Sequence, residues 1–133
     1  MSDVDPVVRL MLLCDEVRHD PDNPLKIDVF GLVSTIRALS DPPFPLRLPQ
    51  LCTYLQLTGG RGTGQGQIAT IHADTDQVAF TSVASALTFG SDPLAVLGVV
   101  FRMRDCPFPE PGLYWVQFRY NEKVLAQQAL VVR

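Results

Sequence analysis

Apolar residues along this chain recur at every second position or in short unbroken runs, and turn-forming residues separate the runs. Alternation places one face of a strand in a core, and a short apolar run fits a strand covered on both faces. The first run, residues 7–17, is closed by the turn signal His19-Asp20-Pro21-Asp22-Asn23-Pro24. Residues 25–39 form a second run rich in Ile, Val, Phe and Thr, with Gly31 inside it marking a bulge or a close backbone approach. Residues 40–49 carry Pro42, Pro43, Pro45 and Pro49, and predict an extended crossover. Proline lacks the N–H that a helix interior or a central strand needs. Residues 51–57, 67–73, 78–83 and 94–103 read as strands, and residues 84–93 as a link of polar and small side chains. Residues 112–120 alternate most cleanly: Tyr114, Val116, Phe118 and Tyr120 share one face, while Leu113, Trp115, Gln117 and Arg119 share the other. After a turn at Asn121-Glu122, residues 124–132 close the chain as a last strand.

Seven or eight such strands, mostly antiparallel, predict an all-β fold in one domain over residues 1–133. A cut at residues 40–49 would leave about 40 residues on one side, too few for a core. Glu110-Pro111-Gly112-Leu113-Tyr114-Trp115-Val116 resembles the tyrosine-corner stretch of immunoglobulin-like domains, with Tyr114 as the corner and Val116 where those domains carry a disulfide Cys. The fold expected is therefore a single immunoglobulin-like β-sandwich.

Further stretches carry a wider resemblance. They are Leu13-Cys14-Asp15, Lys26-Ile27-Asp28-Val29-Phe30-Gly31-Leu32, Phe44-Pro45-Leu46-Arg47-Leu48-Pro49, Phe108-Pro109-Glu110-Pro111-Gly112-Leu113-Tyr114 and Leu130-Val131-Val132. Together they make the chain similar to an uncharacterised bacterial family of small intracellular β-sandwich proteins, a domain of unknown function. The resemblance spans nearly the whole chain. It implies the fold and a cytosolic setting, and no activity.

Charge and cysteine content narrow the function classes. The net charge of −3 and pI near 5.2 give no bulk attraction for nucleic acid. No apolar run approaches the roughly 20 residues of a membrane-spanning helix. The acidic start Met1-Ser2-Asp3-Val4-Asp5 does not look like a signal peptide. Cys14, Cys52 and Cys106 are odd in number and lie in or beside apolar stretches, so buried thiols in the cytoplasm are expected, with no disulfide framework.

Few constellations carry chemistry. Gly59-Gly60-Arg61-Gly62-Thr63-Gly64-Gln65-Gly66 invites a phosphate-loop reading, with Arg61 and Thr63 as its candidate contacts. The Gly-Lys-Ser/Thr ending is missing, however, and the β-branched residues that follow argue against the required helix. A mobile hairpin loop is the expectation. Cys14, Cys52, Cys106, His19 and His72 show no zinc-module spacing. Asp20-x-Asp22 and Asp74-x-Asp76 lack the rest of a calcium loop and read as turns. No catalytic residue, metal or cofactor is assigned. If residues 94–103 and 112–120 pair as a hairpin, Arg102, Arg104, Trp115, Gln117 and Arg119 share one face. Arg and Trp are the side chains that dominate binding hot spots. The function expected is a non-catalytic cytosolic protein-interaction module, working on an unknown partner or by self-association, without nucleic acid or membrane. The alternatives are a small-ligand or metal module using the glycine stretch or the Cys/His set, and an enzyme without a recognisable motif.

Overall fold

Alternation does what it predicts where it is cleanest. Tyr114, Val116, Phe118 and Tyr120 are all buried, and the residues between them lie on the opposite face. The computed structural model describes residues 3–133 and shows ten strands. They are β1 (Val7–His19), β2 (Ile27–Leu32), β3 (Thr35–Ile36), β4 (Leu46–Thr58), β5 (Gly62–His72), β6 (Val78–Thr81), β7 (Ser85–Phe89), β8 (Val96–Phe108), β9 (Gly112–Tyr120) and β10 (Lys123–Val132). No helix occurs among the described residues.

The strands form two sheets. One has the order β2-β1-β4-β8, and the other β3-β10-β9-β5-β6, with β7 also paired to β5. The chain changes sheet between β2 and β3, β3 and β4, β4 and β5, β7 and β8, and β8 and β9. The second apolar run is thus two strands in different sheets. Neighbours are antiparallel except β3, which runs parallel to β10. The core is filled from both inner faces: Leu51, Leu55, Leu57, Met103 and Phe108 from the first sheet meet Ile68, Tyr114, Val116, Phe118 and Leu130 from the second.

Two further sequence expectations need correction. Residues 46–49 belong to β4, so the proline-rich crossover is shorter than expected. Pro49 is tolerated because β1 pairs with β4 only as far as Cys52, leaving β4 an edge strand at that point. Residues 85–89 are a strand instead of a link, although only Leu87 among them is buried. β6 and β7 occupy the same side of β5 end to end: Ile71 opposes Val78, Gly66 opposes Ser85, and β9 takes the other side of both positions. Between them Ser82 stands in for a ladder partner. Its N–H donates to the Ile68 carbonyl (2.8 Å), its hydroxyl accepts from the Ile68 N–H (2.9 Å), and its carbonyl accepts from the Gln67 amide (3.0 Å).

The far half of β1 leaves the first sheet. Beyond Cys14 its partner is β2 alone. In a flat sheet β2 would lie about 14 Å from β8, three strand spacings away. Instead, the Ile27 Cδ1 atom approaches within 3.6 Å of where a Cβ on Gly98 of β8 would sit. The β1–β2 hairpin therefore curls over the outer face as a flap. Under it Cys14, Val17, Cys52 and Tyr54 form a second small core with Leu12, Ile27, Val29 and Val100. The bend needs Gly31, whose φ is +66° and where a Cβ would collide with the Asp15 carboxylate. Arg102 ties the flap down: its Nη2 donates to the Val17 carbonyl (3.0 Å), and its Nε lies 3.9 Å from Glu16 Oε1.

Candidate functional site

Strands β8 and β9 do not pair, and this divides the surface expected from the sequence. β8 pairs with β4, while β9 lies between β10 and β5. Residues 109–111, with Pro109 and Pro111, carry the chain from one sheet to the other. Arg102 and Arg104 therefore belong to the outer face of the four-stranded sheet. Trp115, Gln117 and Arg119 belong to the outer face of the six-stranded sheet, on the other side of the molecule. Arg102 holds the flap, and Arg104 is exposed opposite Gln50.

On the six-stranded sheet the register builds a row the sequence did not reveal. Val78 opposes Ile71, Ile71 opposes Trp115, and Trp115 opposes Ala129. Four strands thus place four apolar side chains side by side on an outer face. Leu113 and Val131 form the next row. Trp115 and Ile71 are half-buried, and Val78 is 51% exposed. A polar network borders the rows. Arg119 donates twice to Gln117 Oε1 (3.3 and 3.0 Å), and the Gln117 amide donates to Gln127 Oε1 (3.1 Å). These bonds spread the side chains flat, so the face is an apolar strip with an ordered polar rim. Finding this row required the phase of β5 relative to β9, which composition and alternation alone do not give.

The glycine stretch is not a loop over its length, contrary to expectation. Strand β5 starts at Gly62. A Cβ on Gly64 would collide with the Tyr120 ring, and one on Gly66 would press on Leu87 at 2.6 Å. These glycines make room for core side chains. Arg61 exchanges two backbone hydrogen bonds with Val4 (3.0 and 3.1 Å), and the Thr63 hydroxyl meets that of Thr88 at 3.1 Å. Both residues serve the ends of strands.

The remaining reactive groups are occupied structurally. The Nε2 atom of buried His72 donates to the Pro111 carbonyl (3.1 Å), and its Nδ1 accepts from the Asp74 N–H (3.3 Å). Cys14 and Cys52 are direct cross-strand partners beneath the flap, while Cys106 lies in the main core. Burial pushes the Cys14 thiol up to about 11 and that of Cys106 up to about 12, and it raises Cys52 as well. All three therefore stay protonated, poor nucleophiles at neutral pH. Asp20 Oδ1 accepts from the N–H groups of Asp22 (2.8 Å) and Asn23 (3.2 Å), the turn role expected of it. No three His, Cys, Asp or Glu side chains gather into a metal-sized group among the described residues. No helix is long and apolar enough to cross a membrane among the described residues.

No curated protein matches the chain. Residues 9–133 match the family of unknown function DUF6941. With nearly its whole length covered by that match, the chain belongs to the DUF6941 family.

Proposed function

We propose that the protein is a non-catalytic cytoplasmic interaction module that docks a protein partner on the outer face of its six-stranded sheet. The observation that carries this reading is the registered apolar row Val78–Ile71–Trp115–Ala129, with no strand among the described residues packed over it. A half-buried Trp beside aliphatic side chains, rimmed by amides and an Arg, has the anatomy of a binding hot spot. The structural engagement of His72 and the high pKa values of Cys14 and Cys106 support a role without catalysis. Thiols lying opposite each other without a bridge fit a reducing compartment.

We also read the sandwich as immunoglobulin-like. The Tyr114 hydroxyl donates to the Glu110 carbonyl four residues upstream (2.6 Å), which is the bond of a tyrosine corner. Leaving aside the flap, β1-β4-β8 follow the order of strands A, B and E. The order β10-β9-β5 follows G, F and C, with β6 in the place of an added strand.

Trp115 is the sole tryptophan, so its emission reports directly on the proposed face. Sedimentation velocity across protein concentration tests the simplest partner, a second copy. Docking there shifts the Trp115 emission to the blue as the dimer forms, and Ile71→Asp abolishes both effects. For other partners, the wild type and Ile71→Asp are compared as baits. A partner set that is identical for the two folded proteins removes this face as the binding surface.

A further inference from the structure

The flap and the sheet beneath it do not close completely. Toward the flap tip a cleft of about 490 Å³ remains, open to solvent. Its volume falls within the range of small-molecule sites, roughly 300–1,000 Å³. His19, Pro24, Leu25 and Ile27 of the flap line one side, and Arg9, Tyr54, Gln56, Val96 and Gly98 of the sheet line the other. We propose that this cleft binds a small amphipathic carboxylate, with the anionic group at Arg9 and the apolar body between Ile27, Leu25 and Val96. The site lies on the face opposite the Trp115 row and is independent of the function proposed above.

Charge supplies the first argument. The lining contains the cation Arg9 and the imidazole of His19 but no carboxylate. Arg9 makes no ion pair and no side-chain hydrogen bond among the described residues, whereas Arg102 on the same face is held by Val17 and Glu16. An unpaired guanidinium beside an apolar wall is matched by a carboxylate, which it can hold through two parallel hydrogen bonds.

Unused hydrogen-bonding capacity supplies the second. Tyr54 is 95% removed from solvent, and its hydroxyl accepts from the Gln56 amide (3.0 Å). No acceptor receives the hydroxyl proton among the described residues. That donor lines the cleft. A carboxylate oxygen of the ligand would accept this proton.

The floor supplies the third. Gly98 is the single glycine in β8, flanked on the same face by Val96 and Val100. A Cβ there would come no closer than 3.4 Å to Tyr54 Oη and 3.6 Å to Ile27 Cδ1, which is ordinary contact, and the residue has no positive φ. Packing therefore does not demand glycine, and a larger residue would fill the cleft. A glycine within a strand often marks a place where another molecule approaches the backbone. Leu25 at the flap tip is 93% exposed, an apolar side chain at the mouth with no cover of its own.

Decanoate and its uncharged counterpart decanol are the probes, followed by the shifts of backbone amide signals on the full chain. Decanoate should move the signals of Gln56, Gly98 and Ile27 at concentrations below about 1 mM. Arg9→Gln should weaken decanoate about tenfold or more while leaving decanol unchanged. Gly98→Leu should remove both ligands with the spectrum still dispersed, and should Gly98→Leu fail to fold, Val96→Glu provides the second block. Ile71→Asp, on the opposite face, should bind decanoate as the wild type does. The proposal is overturned if decanoate moves no signal of the cleft. Equal decanoate affinity in Arg9→Gln, or loss of binding in Ile71→Asp, overturns it as well.

Discussion

Replacing Tyr114 with Phe removes one hydroxyl and almost nothing else. The ring is fully buried, with the rings of His72 and Phe108 edge-on at 5.0 Å each, and both contacts survive the substitution. What is lost is the 2.6 Å bond to the Glu110 carbonyl and the weaker 3.4 Å acceptance from the Glu110 N–H. A net hydrogen bond contributes about 0.5–1.5 kcal/mol, and a stranded buried partner costs about 1–3 kcal/mol. The Glu110 side chain is 49% exposed, so water can reach its backbone in the variant and limits the second cost. The expected loss is about 1–2 kcal/mol, a fall in melting temperature of about 3–6 °C for a domain of this size. Urea unfolding followed by Trp115 emission measures it, and the slope with urea should not change because the buried area does not. Glu110→Ala keeps the backbone bond and should stay within about 0.5 kcal/mol of the wild type. A Tyr114→Phe variant as stable as the wild type, or one with a changed slope, would refute the view that this corner pins the crossover between β8 and β9.

Gly64→Ala should destabilise by about 1–3 kcal/mol, because its Cβ meets the Tyr120 ring, which is 2% exposed and has no room to move. Gly90→Ala, with nothing within 4 Å, should be near neutral in the same thermal melts. Stability should also fall in alkali. The thiols ionise near 9.0 when unfolded, but Cys14 is held at about 11 and Cys106 at about 12 by burial. Between those values the unfolded chain releases protons that the folded one keeps, so stability is full below pH 9.0 and declines as pH rises through 11 and 12. A urea midpoint that is flat from pH 8.5 to about 11, or rapid labelling of the thiols at pH 8 without unfolding, would contradict this.

Strand type was legible wherever burial is one-sided and regular, as from Tyr114 to Tyr120. It was illegible where a strand buries little. In β7 only Leu87 is fully buried, with Phe89 half-buried against the core, so little distinguishes that segment from a link. Glycine misled in β5 because the same residue serves loop freedom and ring clearance, and only the position of Tyr120 separates the two. The candidate surface failed for a topological reason. Two strands joined by a short link can form a hairpin or can cross between sheets, and their alternation is identical in both cases. Trp115, Gln117 and Arg119 stayed together because they belong to one strand, while Arg102 and Arg104 depended on pairing that β8 gives to β4. The cleft at the flap tip was hidden for a related reason: Arg9, Ile27, Tyr54 and Gly98 come from four strands, and only the curl of the β1–β2 hairpin brings them together.

The divided partner of β5 also bears on solubility. Open strand edges are templates on which further chains can add, the first step toward aggregates. One border of the six-stranded sheet is made of β6 and β7, four and five residues long and broken at Ser82, and the other is β3, two residues long. The β6–β7 border offers no run on which an incoming strand could find a stable register, but β3 covers only Val131 and Val132 of β10 and leaves residues 123–130 as an open border. The four-stranded sheet has an open border as well. β8 is a border strand of 13 residues, interrupted only near its end by the positive φ of Asp105 and by Pro107. If concentrated or partly unfolded protein polymerises through its backbone, residues 96–104 of β8 and 123–130 of β10 are where growth begins.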